Sequence, residues 1–373
     1  MRDYILSEYK IFKNKIVNVK YLKNILIFAT VLIGIDCNAQ DRHLKKFTPA
    51  AIWKDTDGVP INAHGGGVLF HEGTYYWYGD HKLEGKSEKE SAGGGMHCYS
   101  SKDLINWKNE GIVLSVDYED EESDLAYGCI FERAKVVYNE KNKEFVAHFK
   151  LYLKGVGYRT SYVGVAVAEK PTGPFIYRHK FLGGGSLNGS GDYSMFKDDD
   201  GNLYHLTVRK PDKTFDDKAF VIGKMDDDYY FIEGDYKVCE GVSERYNTMT
   251  EAPAVIKKDG VYHMLGSGSS GWRPNAARYY TTNDLMGEWT YHGNPLSGFN
   301  KIDGLGPEVT FGGQSSFIIP VQGLKNAFIA MFDIWKPESP IDGRYIWLPI
   351  DFNDGKMSIT WHDEWDFDVF AKE

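Results

Sequence analysis

Cysteine is scarce in this chain: four of its 373 residues are cysteines, and none lies in a CxxC pair. This spacing argues against a disulfide framework and against a zinc ribbon. After residue 39 the cysteines are Cys98, Cys129 and Cys239, which allow at most one bridge. We expect these three residues to be buried as small apolar side chains.

An apolar run long enough to cross a bilayer is also missing. The apolar run at residues 25–35 has eleven residues, whereas a spanning helix needs about 20. It follows a basic segment, residues 1–23, and precedes small residues at 37–39. We therefore predict a secretory signal peptide over residues 1–39 and a periplasmic or secreted mature chain that does not insert into the membrane. A lipoprotein anchor on Cys37 is the alternative.

The chain has no excess of positive charge, since 53 Asp and Glu oppose 43 Lys and Arg, for a net charge of −10 at pH 7. Nucleic acids and anionic membranes are therefore poor partners. Sustained i, i+3, i+4 apolar spacing is absent as well, which argues against long helices. By contrast, 40 glycines and an aromatic content of 15% favour tight turns and rings that stack on a neutral ligand.

Five aromatic-rich segments recur along the chain at domain-wide intervals. They are residues 73–79 (GTYYWYG), 143–149 (KEFVAHF), 201–207 (GNLYHLT), 260–266 (GVYHMLG) and 326–332 (NAFIAMF). Measured between their central aromatic residues, the intervals are 70, 59, 58 and 66 residues. Each interval accommodates four short strands and their loops. The sequence therefore predicts an all-β fold, a five-bladed β-propeller formed by residues 40–373 as a single domain, with a pocket where the blades converge.

A second repeat supports the blades. A strand, a polar turn and a tryptophan follow one another at residues 100–107 and again at residues 281–289. A third copy has Phe175 in place of the tryptophan. We expect Trp107 and Trp289 to be structural residues that seal their blades.

Two glutamates stand out because apolar segments flank them. Glu132 lies between CIF and the segment RAKVV, and Glu251 opens EAPAVI, just before a predicted core strand. Burying an unpaired carboxylate is costly, so such a residue needs a partner or a function. We predict that both point into the central pocket. The alternatives are a solvated surface charge and, for Glu132, a structural salt bridge with Arg133.

The chain resembles family 43 of the glycoside hydrolases, in its exo-β-1,3-galactanase branch, over residues 51–369. The motifs that carry the resemblance are residues 62–67, 75–79, 132–136, 251–254, 270–277, 314–316 and 343–349. The resemblance implies a five-bladed propeller that hydrolyses glycosides with inversion. Its substrate would be an oligosaccharide or polysaccharide.

The same resemblance assigns three catalytic roles. Glu251 matches the general acid and Glu132 the acid that tunes it, so burial and the charge of Glu132 would raise the pKa of Glu251. The aspartate base of most members is missing, because its position falls on Gly65. Gln314 matches the glutamine with which this branch holds the attacking water.

Five residues are expected to contact the sugar on the same grounds: Asp80, Asp192, Trp272, His64 and Asn275. Trp272 would stack on a galactose face, or alternatively seal a blade. Three positions depart from the branch, since Asp80 stands where Glu is common, Gly191 where Arg is frequent, and Ser269 where relatives have Cys or Thr.

Other functions are left open by these departures. One is a furanosidase of the same family, acting on arabinofuranose or galactofuranose, and another is a sugar-binding propeller without catalysis, which the gap at Gly65 favours.

No cofactor and no metal are expected, because the histidines at positions 64, 71, 81 and 97 lack ligand spacing. Some family members hold a structural calcium on the propeller axis, but none is expected here. The acids at residues 198–200 predict a hairpin turn rather than a calcium loop. The protein is expected to be a monomer.

Overall fold

The computed structural model describes residues 44–87, 90–215, 218–242, 249–271, 273–342 and 344–371. The predicted signal peptide therefore lies outside the described residues. Within those ranges, no helix has the length and apolar character needed to cross a membrane. The regular structure there consists of strands and short 3₁₀ turns.

Five antiparallel sheets follow one another along the chain and form the blades. Blade 1 contains β1 His64–His71, β2 Thr74–Lys82, β3 Gly93–Ser101 and β4 Lys108–Ser115. Blade 2 contains β5 Ile130–Asn139, β6 Glu144–Tyr152, β7 Tyr162–Ala168 and β8 Ile176–Phe181. Blade 3 contains β9 Ser190–Lys197, β10 Leu203–Arg209, β11 Ala219–Lys224 and β12 Lys237–Val238.

The last two blades have the same plan. Blade 4 contains β13 Thr250–Lys258, β14 Val261–Gly268, β15 Arg278–Thr282 and β16 Thr290–Gly293. Blade 5 contains β18 Gln314–Pro320, β19 Phe328–Ile334, β20 Arg344–Asn353 and β21 Lys356–Thr360, and the short strand β17 Leu296–Ser297 pairs with β21 in parallel. The first antiparallel strand of each blade is innermost, so β1, β5, β9, β13 and β18 contact one another around the axis.

The five aromatic segments of the sequence all become second strands, namely β2, β6, β10, β14 and β19. The predicted five-bladed propeller is therefore confirmed. The sealing residues are confirmed as well: Trp107, Phe175 and Trp289 each directly precede the fourth strand of a blade and are buried. The three cysteines after residue 39 are buried and unpaired.

The predicted hairpin turn joins β9 to β10, with Tyr204 opposite Phe196. Its Asp198 carboxylate accepts hydrogen bonds from Lys257 Nζ (2.9 Å) and Tyr262 Oη (2.5 Å) of blade 4. The acid is thus part of a contact between blades.

The two ends of the described chain close the ring. Phe47 and Trp365 exchange backbone hydrogen bonds of 2.8 and 3.1 Å, and their rings stack with centroids 4.2 Å apart. The segment that precedes blade 1 is therefore fixed to the segment that follows blade 5.

A β-bulge interrupts each of three innermost strands, β1, β5 and β13, close to the residue at which the strand begins. The register shifts after His64 in β1, after Glu132 in β5 and after Glu251 in β13. In each case the next residue has a left-handed φ, which is 59° at Gly65, 57° at Arg133 and 53° at Ala252. Such bulges redirect side chains and are frequent beside active sites. A non-glycine residue with a left-handed φ, such as Arg133 or Ala252, is strained. They place His64, Glu132 and Glu251 at equivalent positions around the axis.

Candidate active site

The inner strands bring four polar side chains together at one end of the propeller. Glu132, Asp192, Glu251 and Gln314 each lie within the first three residues of an innermost strand, in β5, β9, β13 and β18. Gln314 contacts Glu251 directly, and Arg133 and Lys150 connect Asp192 and Glu132 to the group. The structure therefore brings the predicted residues Glu132, Glu251, Gln314 and Asp192 together at one end of the propeller.

Arg133 lies at the centre of this group and is buried. Its Nη2 is 2.7 Å from Asp192 Oδ2 and also donates to Gln314 Oε1. Its Nη1 donates to the carbonyl of Ser315 at 3.3 Å. One guanidinium thus joins side chains from blades 2, 3 and 5.

The partner of Glu132 is Lys150 rather than Arg133, so the alternative of a structural salt bridge between Glu132 and Arg133 does not hold. Lys150 Nζ lies 3.6 Å from Glu132 Oε2 and 2.9 Å from Asp192 Oδ1. Tyr158 Oη donates to Glu132 Oε1 at 3.2 Å. The reason is geometric: Lys150 is directly opposite Glu132 in the β5–β6 register, whereas Arg133 is the bulged residue.

Asp192 is ionised in this setting. Burial favours its neutral form, but Arg133 and Lys150 outweigh burial and hold the pKa of the carboxyl well below its usual range. Asp192 therefore presents a fixed negative charge between two buried cations.

Burial raises the pKa of Glu251 to about 7, and the charge of Asp192 adds to the shift. The raised pKa agrees with the expectation for a general acid. The neighbouring charge, however, is that of Asp192 and not of Glu132, because Asp192 faces the site from the adjacent blade while Glu132 faces Lys150. A carboxyl group with this pKa is partly protonated at neutral pH and can deliver a proton.

The side-chain amide of Gln314 makes four hydrogen bonds, all with other side chains. Its Oε1 accepts from Arg133 and from Trp335 Nε1 (3.1 Å). Its Nε2 donates to Ser267 Oγ (2.9 Å) and to Glu251 Oε1 (3.3 Å). Because arginine and tryptophan are donors only, they fix the orientation of the amide, with Nε2 toward Glu251. None of these four partners is a backbone group.

Asp80 is fully buried behind the group. It accepts hydrogen bonds from the backbone N–H groups of Arg133 (3.1 Å) and Ala134 (3.4 Å) and therefore supports the bulge of β5. Burial raises its pKa to about 7. Asp80 therefore contacts the backbone of the β5 bulge, whereas the sequence predicts that it contacts the sugar.

His64 is also buried, between the rings of Tyr345 (centroids 5.5 Å apart) and Trp335 (6.4 Å). Burial lowers its pKa to about 3, so the imidazole is neutral. The sequence predicts a sugar contact here as well, and the structure places the ring below the surface.

Asn275 clamps the loop after β14. Its Oδ1 accepts from Gly268 N (2.6 Å), and its Nδ2 donates to Gly268 O (2.7 Å) and Ser270 Oγ (2.6 Å). A small pocket beside this loop is lined by Ser267, Arg273, Asn275, Gln314 and Trp335. Trp272 lies outside the described residues.

Several residues of the site are missed by sequence reasoning. Lys150, Lys135, Asp333 and Trp335 all contact or adjoin the predicted residues but belong to no recognised motif role. The signal that could have found the three charged residues is the presence of ionisable side chains within inner and second strands that are otherwise apolar. In the register, Lys150 and Asp333 stand opposite Glu132 and Gln314.

Two of these residues, which are buried and ionisable, adjoin Gly65. Lys135 Nζ donates to the carbonyl of Gly65 (2.7 Å), while Asp333 accepts from its N–H. Burial lowers the pKa of Lys135 to about 7 and raises that of Asp333 to about 7. In the described ranges, no group of three His, Cys, Asp or Glu side chains is arranged to hold a metal ion.

The chain is similar to known glycoside hydrolases. The model for "Glycosyl hydrolases family 43" matches residues 67–318. Among curated proteins, none matches significantly. A GH43 β-1,3-galactosidase solved with galactodeoxynojirimycin is 36% identical, over 86% of this chain and 100% of that one, with a TM-score of 0.73.

Two exo-β-1,3-galactanases are similar over the same region. The enzyme from Phanerochaete chrysosporium, in a variant solved with β-1,3-galactotriose, is 31% identical over 87% of this chain and 69% of that one, with a TM-score of 0.72. The enzyme from Clostridium thermocellum is 30% identical over 86% and 66%, with a TM-score of 0.70. The chain therefore belongs to family 43 of the glycosyl hydrolases and is a glycoside hydrolase built on a five-bladed β-propeller.

Proposed function

We propose that the protein is an inverting, exo-acting β-1,3-galactosidase that releases galactose from β-1,3-galactan main chains of the arabinogalactan type. The observation that carries the proposal is the contact of the Gln314 amide with Glu251, at a site where Gly65 supplies no carboxylate base. The similar enzymes support the substrate class, since they include a β-1,3-galactosidase and exo-β-1,3-galactanases.

Glu251 is the general acid in this proposal. Its pKa of about 7 leaves the carboxyl protonated for much of the time at neutral pH. It delivers the proton to the glycosidic oxygen as the bond to the sugar breaks.

Gln314 holds the attacking water. All four hydrogen-bonding positions of its amide are occupied, so the water must replace one partner. The contact with Glu251 is the longest, and it is the one that Glu251 gives up when it turns toward the leaving group. The freed Nε2–H then donates to the water on the opposite side of the sugar. The water oxygen bonds to the anomeric carbon as the glycosidic bond breaks, and the proton that it carries then passes to solvent.

Glu132 acts on the acid indirectly. It forms an ion pair with Lys150, and Lys150 together with Arg133 keeps Asp192 ionised. The charge of Asp192 then raises the pKa of Glu251. Glu132 is thus the tuning residue through Lys150 and Asp192 rather than through its own charge.

Sugar binding is assigned to Asp192 and Trp272. Asp192, which is partly exposed, accepts hydrogen bonds from galactose hydroxyls, and Trp272 stacks on the sugar face. Asp80 and His64 support this surface from beneath, and Asn275 shapes its rim. We further propose that the enzyme acts without a cofactor, as a periplasmic or secreted monomer.

A catalytically inactive sugar-binding propeller is the second candidate. Gly65 has no side chain and the Gln314 amide is a weak base, which favours this candidate. It predicts that galactan binds but that no reducing sugar forms during long incubation.

Product analysis tests the proposal. Incubation with β-1,3-galactan should release galactose alone, first as the α anomer in NMR spectra, and Glu251→Gln should release it more slowly by about 10²-fold or more. Furanosides of arabinose and galactose form the control panel. Release of sugar from furanosides only would overturn the β-1,3-galactosidase proposal, and a first product with the β anomer would overturn inversion.

A further inference from the structure

The space beside Gly65 is occupied by an indole ring. A Cβ atom at position 65 would lie 3.1 Å from Trp335 Cη2, 3.4 Å from Trp335 Cζ2 and 3.4 Å from Arg133 Cγ. The shortest of these distances is tighter than ordinary van der Waals contact, and Gly65 also has a left-handed φ of 59°. Any side chain at this position therefore competes with Trp335 for volume.

Trp335 is held in this place from several sides. It directly follows β19, its ring lies against His64, and the Arg133 guanidinium is 5.8 Å from its ring centroid. Its Nε1 donates to Gln314 Oε1 at 3.1 Å. The residue is partly exposed, and with Gln314 it lines the small pocket beside Asn275.

Arg133 and Trp335 donate to the same amide oxygen but differ in the rigidity of the side chain and in the other groups that they bind. Arg133 also binds Asp192 and the carbonyl of Ser315, so small shifts of those groups move its donor. The indole of Trp335 is rigid and wedged against Gly65. Its N–H is therefore a fixed reference point for the Gln314 amide.

We infer that Trp335 is a positioning residue for Gln314: the indole fills the volume left by Gly65 and its N–H orients the amide that holds the attacking water. The inference rests on the proposed function, since it assigns Trp335 a role in that reaction. Gly65, Trp335 and Gln314 then form one unit, and replacement of any member disturbs the water site. Gly65 is required because its missing side chain lets the indole approach.

A double-mutant cycle tests this role. Trp335→Phe keeps a ring but removes the donor, so kcat should fall about fivefold to tenfold on galactan oligosaccharides and on aryl galactosides alike, with KM within about twofold. In the Gln314→Ala background the same substitution should change kcat by less than about twofold. Equal losses in both backgrounds, or a change confined to KM, would overturn the positioning role.

Three further variants separate positioning from general packing. Trp361→Phe is the matched control, because Trp361 Nε1 donates to Asp363 Oδ1 at 3.0 Å beyond β21, and kcat should remain at the wild-type value. Gly65→Ala should lower kcat by displacing the indole, and Gly65→Ala combined with Trp335→Phe should be no slower than Trp335→Phe alone. Independent, multiplying losses in that pair would contradict the volume argument.

The failure of this inference is distinguishable from failure of the proposed function. If the wild type releases galactose but the cycle is additive, the function stands and the positioning role is overturned. If the wild type releases no galactose, the cycle is measured as thermal unfolding. Non-additive changes in Tm for Trp335→Phe and Gln314→Ala then support the coupling of the two side chains, and additive changes overturn it.

Discussion

Gln314 Nε2 lies 3.3 Å from Glu251 Oε1, so the amide at the start of β18 and the acid at the start of β13 form one hydrogen-bonded pair across blades 4 and 5. Substitution of either residue should consequently alter the hydrogen bonding of the other. Leaving-group dependence separates their roles, because only proton donation becomes less important when the leaving group is good.

Glu251→Gln should lower kcat on galactan by about 10²–10⁴-fold, because the isosteric amide has no proton to deliver. Folding and galactose binding should change little, as measured by Tm and calorimetry. An aryl galactoside with a good leaving group should recover part of the rate. Glu233→Gln, which removes only a surface partner of Lys224, is the control with wild-type activity. Near-normal activity of Glu251→Gln on galactan would exclude Glu251 as the acid.

Gln314→Ala should reduce kcat to a similar degree on good and poor leaving groups, because water attack is impaired in both. The measurement is kcat per folded molecule on a series of aryl galactosides. If the residue were only structural, Tm would fall and kcat would stay close to that of the wild type. Gln314→Glu places a charge beside Glu251, so its pH optimum should move upward.

The fold could be predicted from sequence because each blade repeats an aromatic second strand. The inner strands could also be located, since Glu132 and Glu251 interrupt apolar segments. The ion pairs could not be predicted. Neighbours in sequence suggest the pair Glu132–Arg133, but the bulge gives Arg133 a left-handed φ and its guanidinium reaches Asp192 instead.

The burial of Asp80 and His64 was equally inaccessible to sequence reasoning. Motif similarity places both near the sugar but cannot distinguish a surface residue from one a layer below. In the structure they are paired across β1 and β2, and Asp80 reaches the bulge of the next blade. Such contacts depend on how two blades meet, which local sequence does not encode.

The pH dependence of kcat should reflect the charge of Asp192. Burial and that charge raise the pKa of Glu251 to about 7, so activity should fall as pH rises through about 7 and the acid loses its proton. Asp192→Asn removes the charge and leaves Arg133 and Lys150 uncompensated, and both changes lower the pKa of Glu251. The alkaline limb of the kcat profile should therefore move to lower pH. Asp228→Asn, at an exposed partner of Lys141, should leave it in place. An unmoved limb in Asp192→Asn would contradict the electrostatic coupling.

Removal of divalent cations should leave kcat unchanged. Lys135 Nζ already donates to the carbonyl of Gly65 among the inner strands, and the positive charge of the buried Arg133 guanidinium opposes a bound cation there. The measurement is galactose release after dialysis against a chelator, with and without added calcium. Loss of activity that calcium restores would contradict this expectation.

Asp333 should make the protein less stable as pH rises. Its carboxyl is buried beside Gly65, and its pKa is raised to about 7 by burial, despite the opposing charges of Arg133, Lys135 and Lys82. In the unfolded chain the same group ionises near pH 3.8. Between these two values the folded state holds the proton that the unfolded state has lost, so this group's contribution to the free energy of unfolding decreases with rising pH.

Asp333→Asn isolates that contribution, because the amide oxygen can still accept from Gly65 N–H while the group no longer titrates. The difference in unfolding free energy between variant and wild type, from urea titrations, should grow in favour of the variant from about pH 4 to about pH 7 and then level off. Other titrating groups cancel in the difference, provided that they keep their environments. Asp363→Asn, at an exposed acid, is the control and should give a small difference of the opposite sign, because hydrogen bonds from Lys301 and Trp361 hold the pKa of Asp363 below its ordinary value. A difference for Asp333→Asn that is flat across this range would mean that the Asp333 carboxyl is already ionised in the folded protein. The neighbouring cations would then outweigh its burial.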